Sequence, residues 1–337
     1  MKIVRTDAEL QTPHLDEALR AAGHDLVLLP DGVSEGDLCA AVAEADLLLM
    51  CYTPITAAVM DAATQLKGIV KYGVGIDAID IPAAIARGIP VVNIPEYAEE
   101  TVAEGAFTLM LALAKRLPAL HGQMQGTGWA WPEPQWMGRD IAGSTVGIIG
   151  LGRIGQSFAR MAGAGFRARV VAYSPHTDQS VFDAAGVERC GDLDSLLGQI
   201  DFVSVHSVLN SETHHLIDAK EFAAMKPGAC LINVSRGAIV DEQALIQALD
   251  KGHIAGAALD VFSAEPLALS DHPLSPLFGR DNVILTPHLT FYTAQAMQRL
   301  ESETLERCTE VLEGRLVRIK SHDPRLRAQT NAVVFQG

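Results

Sequence analysis

The segment that most constrains the fold is Thr145–Gly155, which reads TVGIIGLGRIG. Its apolar run predicts a buried strand, the G-x-G-x-x-G glycines predict a tight turn, and the residues that follow predict a helix. Gly150 can turn without a Cβ penalty, Gly152 lets the backbone approach a pyrophosphate, and Gly155 allows close packing of the helix on the strand. The pyrophosphate would bind the free N–H groups at the positive end of that helix, so the segment predicts a dinucleotide-binding unit.

Composition excludes several other classes of protein. A chain of 337 residues, 48% of them hydrophobic, predicts two globular domains. Because the formal net charge is -15 and lysine and arginine form no run, we expect no nucleic acid or membrane surface as a partner. The five cysteines form no C-x-x-C motif, which argues against a disulfide framework and a metal site. The N-terminus lacks the apolar core of a signal peptide, so we expect a cytoplasmic protein.

Strand-like apolar runs alternate with helix-like segments along most of the chain, which is typical of α/β proteins. The first part predicts strands at residues 2–4, 26–29, 47–51, 69–71 and 91–93, separated by helices at 15–22, 38–45, 57–64 and 82–87. A long helix at 101–117 and an irregular tryptophan-rich stretch at 126–138 follow. The dinucleotide unit predicts strands at 146–149, 170–173, 202–205, 230–234, 257–261 and 283–286, before a final helix at 293–313.

This order predicts two doubly wound parallel-sheet domains, with a Rossmann dinucleotide-binding domain inserted into a flavodoxin-like substrate domain. The substrate domain is discontinuous and comprises residues 1–99 and 288–337, and the cofactor domain comprises residues 100–287. The polar tail after Gly314 either packs on the substrate domain or is loosely ordered.

Polar residues follow five predicted strands of the dinucleotide unit, at the point where each strand ends. They are Ser174, His206, Arg236, Asp260 and His288. Because ligands of open parallel sheets bind at the carboxyl ends of the strands, these positions predict the site.

Three short motifs carry the candidate chemistry. Arg236 in Asn-Val-Ser-Arg-Gly suits a carboxylate, although a structural salt bridge also explains an isolated arginine. Glu265 lies in a loop before Pro266, where most carboxylates are only solvated. His288 in Thr-Pro-His follows a strand, and with a carboxylate available it could form an acid–base pair instead of serving a structural role.

At these residues the chain resembles the D-isomer-specific 2-hydroxyacid dehydrogenases, from about Lys71 to the final helix. That family transfers hydride between a nicotinamide cofactor and a 2-keto or 2-hydroxy acid, in a cleft between two α/β domains. Its catalytic arginine, glutamate and histidine match Arg236, Glu265 and His288. The resemblance implies that Arg236 holds the substrate carboxylate and polarises the keto oxygen. His288 would donate a proton to that oxygen, and Glu265 would orient the imidazole and favour its charged form.

The resemblance also implies a set of cofactor-binding residues, with Asp260 near the nicotinamide carboxamide, and a homodimer formed through the helix at 101–117. Together with the glycine turn, this set is Thr101, Gly150, Gly152, Arg153, Ile154, Gly155, Ser174, His176, Thr177, His206, Val234 and Asp260.

A second anion site is predicted in the first domain. Two glycines in the segment 71–77 let successive N–H groups converge into a carboxylate-binding nest, although a plain strand-to-helix turn is the simpler reading of these residues alone. The family uses the matching backbone for its substrate carboxylate, which assigns Val74 and Gly75 to substrate binding.

Aromatic residues resemble those of the D-lactate dehydrogenase branch, which border a small substrate side chain. They are Tyr97, Phe291 and Tyr292, and Tyr52 could also face the substrate. Core packing is an equally good explanation of Phe291.

The cofactor preference depends on position 174. NAD-preferring members usually carry an aspartate there, and its absence removes repulsion of the extra phosphate of NADP. Ser174, His176 and Thr177 can donate hydrogen bonds to a phosphate, and Arg153 lies in the glycine turn. Residues 174–177 contain no arginine, so the prediction is NADP or NAD with a lean to NADPH.

These inferences predict an NAD(P)-dependent reductase of a small 2-ketoacid, similar to glyoxylate or hydroxypyruvate. Formate dehydrogenases share the fold but carry a glutamine where Glu265 stands. A nucleotide-sensing regulator or corepressor-like protein on the same scaffold, with little turnover, is the alternative.

Overall fold

The computed structural model describes residues 1–336. The chain divides into a discontinuous unit, Met1–Ala98 with Thr293–Gly337, and a central unit, Glu99–Tyr292. The first boundary therefore follows residue 98 where the sequence predicts 99, and the second follows residue 292 where it predicts 287. The second difference places His288 in the central unit, because the loop that carries it is hydrogen-bonded to Asp260 of that unit.

The discontinuous unit begins with five parallel strands in the order β2-β1-β3-β4-β5, which is the flavodoxin-like order. The strands are β1 Lys2–Arg5, β2 Asp25–Leu28, β3 Leu47–Met50, β4 Ile69–Lys71 and β5 Val91–Asn93. The helices between them are α1 Pro13–Ala21, α2 Glu35–Val42, α3 Ala57–Ala62 and α4 Ile81–Ala86.

The central unit opens with two helices, α5 Glu99–Ala114 and α6 Leu117–Thr127. The predicted single helix at 101–117 is therefore wrong at its C-terminal end. Arg116 adopts a left-handed conformation (φ 51°) that ends α5, and Pro118 then occupies the first turn of α6. Proline is well tolerated in a first turn, since its missing N–H has no intrahelical partner there. Of the predicted irregular stretch 126–138, Gly126 and Thr127 belong to the end of α6, and residues 128–138 are irregular as predicted, except for a 3-10 turn at Pro134–Trp136.

Seven parallel strands follow in the order β12-β11-β10-β9-β6-β7-β8. They are β6 Thr145–Ile149, β7 Arg169–Tyr173, β8 Glu188–Arg189, β9 Phe202–Val205, β10 Cys230–Asn233, β11 Gly256–Leu259 and β12 Val283–Leu285. The helices are α7 Arg153–Arg160, α8 Gln179–Ala185, α9 Leu193–Leu197, α10 Ala219–Ala224 and α11 Glu242–Asp250. Chain order reverses between β6 and β9, and such a reversal is where dinucleotides bind in Rossmann sheets.

Both faces of this sheet are covered. One apolar layer, which includes Leu231 and Leu245, packs under α9 to α11, and the other, which includes Ile148 and Phe158, packs under α5 and α7. Because strands buried on both faces are mainly apolar, the glycine turn and the polar strand ends are the positions left for chemistry.

The chain then returns to the discontinuous unit with α12 Ala294–Leu312, β13 Val317–Ile319, α13 Pro324–Arg327 and β14 Val333–Phe335. The tail packs on this unit, which decides between the two alternatives left by the sequence. The side chain of Gln329 accepts a hydrogen bond from the N–H of Val91 (2.7 Å) and donates one to the carbonyl of Val91 (2.9 Å), on the outer strand β5. Within residues 1–336, no helix combines the length and apolar character that crossing a membrane requires.

Candidate active site

The glycine turn after β6 has the shape that a dinucleotide requires. Gly150 has φ 93°, and a Cβ there would lie 2.7 Å from Oγ of Ser207, on the segment after β9. A Cβ on Gly155 would lie 2.3 Å from the carbonyl oxygen of Gly150. Around Gly152, in contrast, a Cβ would meet open space, and no side chain caps the N-terminus of α7. The turn therefore fits a pyrophosphate on the N–H groups of α7.

The imidazole of His206 lies in the core. Its Nε2 is 2.9 Å from Oγ of Ser204, its Nδ1 is buried, and its ring centroid is 5.1 Å from that of Phe158 on α7. A strand-end residue can direct its side chain along the face of the sheet, and the imidazole of His206 does so. The predicted contact of His206 with a cofactor stays a prediction.

Burial lowers the pKa of His206 to about 3, so the ring is neutral in the native protein. The unfolded chain binds a proton at this residue below its ordinary pKa of 6.5, and the native chain does not. Between pH 6.5 and about pH 3, we therefore expect the free energy of unfolding to fall as the pH falls, by roughly 1 kcal/mol for each pH unit through this residue alone. His206→Gln should remove this contribution, so denaturant titrations of both proteins at several pH values should diverge as pH falls. Parallel pH dependences would contradict the buried, neutral ring.

The predicted ribose end of the site follows β7. Oγ of Ser174 and Oγ1 of Thr177 are 2.8 Å apart, and the N–H of Thr177 donates to the carbonyl of Ser174 (3.2 Å), which makes 174–177 a tight turn. His176 on this turn has Nε2 3.0 Å from a carboxylate oxygen of Glu212. The sequence did not indicate Glu212, because it lies 36 residues further along the chain.

The remaining predicted cofactor residues occupy three different environments. The guanidinium of Arg153 donates to Glu99 at 2.9 Å in an ion pair at the start of α5. Thr101 and Val234 are buried, and Ile154 is half-buried beside the glycine turn. Their contacts with a cofactor stay predictions.

Arg236 follows β10 on a backbone that packs closely against the glutamate loop. A Cβ on Gly237 would lie 2.0 Å from the carbonyl carbon of Phe262, so only glycine allows the two segments to meet. The amide of Asn233 donates to the carbonyl of Arg236 (2.9 Å), and its oxygen accepts from the N–H of Ser235 (3.0 Å). These bonds explain the Asn-x-Ser-Arg-Gly spacing as a rigid support for one guanidinium.

Glu265 and His288 form a hydrogen-bonded pair. Oε2 of Glu265 lies 2.9 Å from Nδ1 of His288, and Oε1 accepts from the N–H of Phe262 at 2.9 Å. Partial burial acts to raise the pKa of Glu265, but the bond and charge of His288, the Phe262 N–H and the charge of Arg236 hold it below its ordinary value. The carboxylate is therefore ionised at neutral pH. With Nδ1 occupied, Nε2 of the partly exposed imidazole is the atom that can exchange a proton.

The loop that carries His288 is held by one buried carboxylate. Asp260 is fully buried, and its Oδ1 accepts from Oγ1 of Thr286 (2.6 Å) and from the N–H of Leu289 (3.1 Å). Its Oδ2 accepts from the N–H of Thr290 (3.0 Å) and from its hydroxyl (2.7 Å). Between these anchors His288 adopts a left-handed conformation, with φ 56°. Asp260 thus supports the histidine, while its predicted contact with the nicotinamide stays a prediction.

Asp260→Asn should weaken this support, because an amide nitrogen cannot accept hydrogen bonds from the loop. We expect a loss of about 1–3 kcal/mol in unfolding free energy. We also expect turnover to fall by about tenfold or more, since small displacements of a reacting group are costly. Cofactor affinity, measured by fluorescence titration, should change little; a large loss would instead favour the direct contact with the nicotinamide. The exposed Asp281→Asn is the matched control.

The predicted nest in the discontinuous unit follows β4. Val74 is exposed, Gly75 is half-buried, and the carbonyl of Val74 accepts from the amide of Asn93 at 2.6 Å. Sequence reasoning missed Lys71, whose buried ammonium donates to the carbonyl of Cys51 at 2.5 Å. A Cβ on Gly73 would lie 2.8 Å from this ammonium, so the nest has a cation directly beside it. The sequence signal that could have identified Lys71 is a lysine at the end of a buried apolar strand.

The predicted aromatic residues differ in exposure. Tyr52 is exposed, and its N–H donates to the buried carboxylate of Asp7 (3.0 Å), which also binds the N–H groups of Cys51 and Thr53. Tyr97 is buried in the same unit. In the central unit Phe291 is 7% exposed and Tyr292 is 49% exposed, and their contacts with a substrate stay predictions.

Comparison with known proteins gives consistent matches. The model of the NAD binding domain of D-isomer specific 2-hydroxyacid dehydrogenases matches residues 107–290. The chain is 41% identical over 288 residues to a D-3-phosphoglycerate dehydrogenase of Mycobacterium tuberculosis, covering 85% of this chain and 53% of the relative. It is 39% identical over 275 residues to a glyoxylate reductase of Thermococcus litoralis, covering 80% and 81%. The chain thus spans about half the length of the phosphoglycerate dehydrogenases it matches.

A solved structure shows the same architecture. The D-lactate dehydrogenase of Aquifex aeolicus, complexed with NAD and lactic acid, matches with a TM-score of 0.82 and 29% identity. The match covers 93% of this chain and 96% of that one.

Proposed function

Because the chain belongs to the D-isomer-specific 2-hydroxyacid dehydrogenase family, we propose that it reduces a small 2-ketoacid, such as glyoxylate or hydroxypyruvate, to the D-2-hydroxyacid. The observation that carries this proposal is the pair formed by His288 and Glu265 beside Arg236, three side chains brought together from separate loops of the central unit. An imidazole bonded to an ionised carboxylate, next to a guanidinium, suits proton transfer to a substrate that bears its own carboxylate.

His288 acts as the general acid. Its Nδ1–H donates to Glu265, so the proton on Nε2 passes to the keto oxygen of the substrate, and the same atom accepts a proton in the oxidation direction. Glu265 stabilises the imidazolium and fixes the ring, and it needs no proton of its own for this role. When bound along the glycine turn, the nicotinamide cofactor supplies the hydride that the keto carbon accepts.

Arg236 binds the substrate carboxylate through its planar fork and polarises the neighbouring keto oxygen. In the discontinuous unit, the backbone N–H groups of Val74 and Gly75 form the proposed carboxylate-binding nest. The buried ammonium of Lys71 beside this nest supports that assignment, since a cation favours an anion at the adjacent N–H groups.

One observation favours a small substrate over D-3-phosphoglycerate. The proposed substrate residues include the aromatic Tyr52, Tyr97 and Tyr292, whereas a phosphate would call for cations in addition to Arg236 and Lys71. We further propose NADPH as the preferred cofactor, with NADH also used, and a homodimer formed through α5.

The test is the rate of NADPH or NADH oxidation with glyoxylate, hydroxypyruvate, pyruvate and phenylpyruvate, and of cofactor reduction with D-3-phosphoglycerate. Oxidation with a short ketoacid, yielding the D-isomer when hydroxypyruvate is reduced, is the expected result. Activity with D-3-phosphoglycerate and with none of the short ketoacids would show that the proposed substrate class is wrong. Cofactor binding without turnover on any of these acids would favour the nucleotide-sensing alternative.

A further inference from the structure

An arginine lies against the ribose turn although it is distant in sequence. Arg189 belongs to the edge strand β8, and its Cα is paired with that of Ala172 on β7. Its guanidinium donates to the carbonyl of Pro175 at 3.2 Å. The parallel pairing of β7 and β8 thus delivers a cation to the turn 174–177, which has no arginine of its own.

The charge of Arg189 is not neutralised within the described part of the chain. Its neighbour on β8, Glu188, is paired with Arg169, whose guanidinium lies 2.5 Å from the carboxylate. Among residues 1–336, no carboxylate lies within 4.0 Å of the exposed guanidinium of Arg189. In a protein with a formal net charge of -15, this leaves one uncompensated cation at the end of β7.

The guanidinium is also held in position. It lies over the ring of Phe182 on α8, with 5.1 Å from its central carbon to the ring centroid. Because Phe182 is fully buried, the ring is a fixed platform, and stacking restricts the arginine at the turn. The hydroxyls of Ser174 and Thr177 lie on that same turn.

We propose that Arg189 recognises the 2′-phosphate of NADPH, with the hydroxyls of Ser174 and Thr177 as further donors. In Rossmann units the second strand ends at the adenosine ribose, and β7 is that strand here. A phosphate bound at this turn would meet a planar guanidinium fork, which binds phosphate oxygens in pairs. This inference rests on the proposed function and names the residue that decides its cofactor.

One carboxylate opposes phosphate binding at this turn, namely Glu212, which lies 3.0 Å from Nε2 of His176. Its negative charge disfavours a phosphate, so Arg189 must outweigh it. Once the guanidinium is removed, Glu212 should turn the preference towards the cofactor that has no 2′-phosphate.

The test is calorimetric binding of adenosine 2′,5′-bisphosphate and of 5′-AMP to the full chain, which involves no turnover. The wild-type protein should bind the bisphosphate more tightly. Arg189→Gln should weaken the bisphosphate by about tenfold or more and leave 5′-AMP unchanged. The matched control Arg169→Gln, on β7, should alter neither ligand. Ser174→Asp, which places a carboxylate on the turn, should also reject the bisphosphate and favour NADH over NADPH in fluorescence titrations.

Two outcomes distinguish a failure of the role proposed for Arg189 from a failure of the proposed function. If Arg189→Gln binds the bisphosphate as tightly as the wild type, or if the wild type does not distinguish the two nucleotides, the role of Arg189 is overturned while the reductase remains. If the wild type binds neither nucleotide and neither reduced cofactor, the proposed function fails with it.

Discussion

His288→Asn is expected to lower the turnover number for 2-ketoacid reduction by about a thousandfold, because it removes the proton donor. Asparagine is the informative replacement, since His288 has φ 56° and asparagine tolerates that left-handed conformation. Its side chain can also still donate to Glu265, so the loop should keep its shape. Steady-state rates, together with fluorescence titration of the cofactor, separate lost chemistry from lost binding.

Glu265→Gln tests the contribution of the carboxylate to the pair formed by His288 and Glu265. It keeps the size of the side chain but removes the charge that stabilises the imidazolium, so reduction should slow. The exposed His214→Gln is the matched control and should leave the rate unchanged. Wild-type turnover in His288→Asn would rule out its role as the general acid.

Arg236→Gln is expected to lower kcat/KM for the ketoacid by about a hundredfold to a thousandfold, because polarisation of the keto oxygen and the carboxylate contact are both lost. Arg236→Lys keeps the charge without the fork and should recover only part of this loss. Cofactor affinity should stay unchanged in both variants.

Arg280→Gln provides the control for Arg236, since Arg280 is an ion-paired arginine of the same unit, 2.8 Å from Asp250. A second readout is specific to the site. The charge of Arg236 helps to hold the pKa of Glu265 down, so the acid limb of the pH profile should move to higher pH in Arg236→Gln. If KM alone changed and kcat did not, Arg236 would bind the carboxylate without polarising the keto oxygen.

The course of the chain was largely predictable because its signals are local. Apolar runs flanked by turn residues placed the strands of the two large sheets to within a few residues, except for the short edge strand β8, which the sequence did not indicate. The Gly150–Gly155 motif placed the Rossmann turn between β6 and α7. The prediction of one helix at 101–117 failed at its C-terminal end, because α5 ends at Ala114 and Pro118 lies in the first turn of α6. A proline gives the same local signal just after one helix as in the first turn of the next.

Within the candidate site, the sequence pointed to the strand ends but not to what each side chain does there. The ring of His206 turns back along the sheet, and the carboxylate of Asp260 accepts hydrogen bonds from hydroxyl and backbone N–H groups that lie up to 30 residues further along the chain. Arg189 reaches the ribose turn through strand pairing alone. These arrangements depend on register and rotamer, which no local pattern of residue types specifies.

The bond between Gln329 and Val91 has a consequence for the solubility of the protein. The outer strand β5 would otherwise present an unpaired N–H and carbonyl at Val91, and such an open edge can recruit a strand from another molecule. One amide side chain fills both positions in the manner of a neighbouring strand, without extending the sheet. The C-terminal tail thereby protects this edge of the sheet from pairing with a strand of another molecule. Shortened versions of this chain that end before Gln329 would lose that protection.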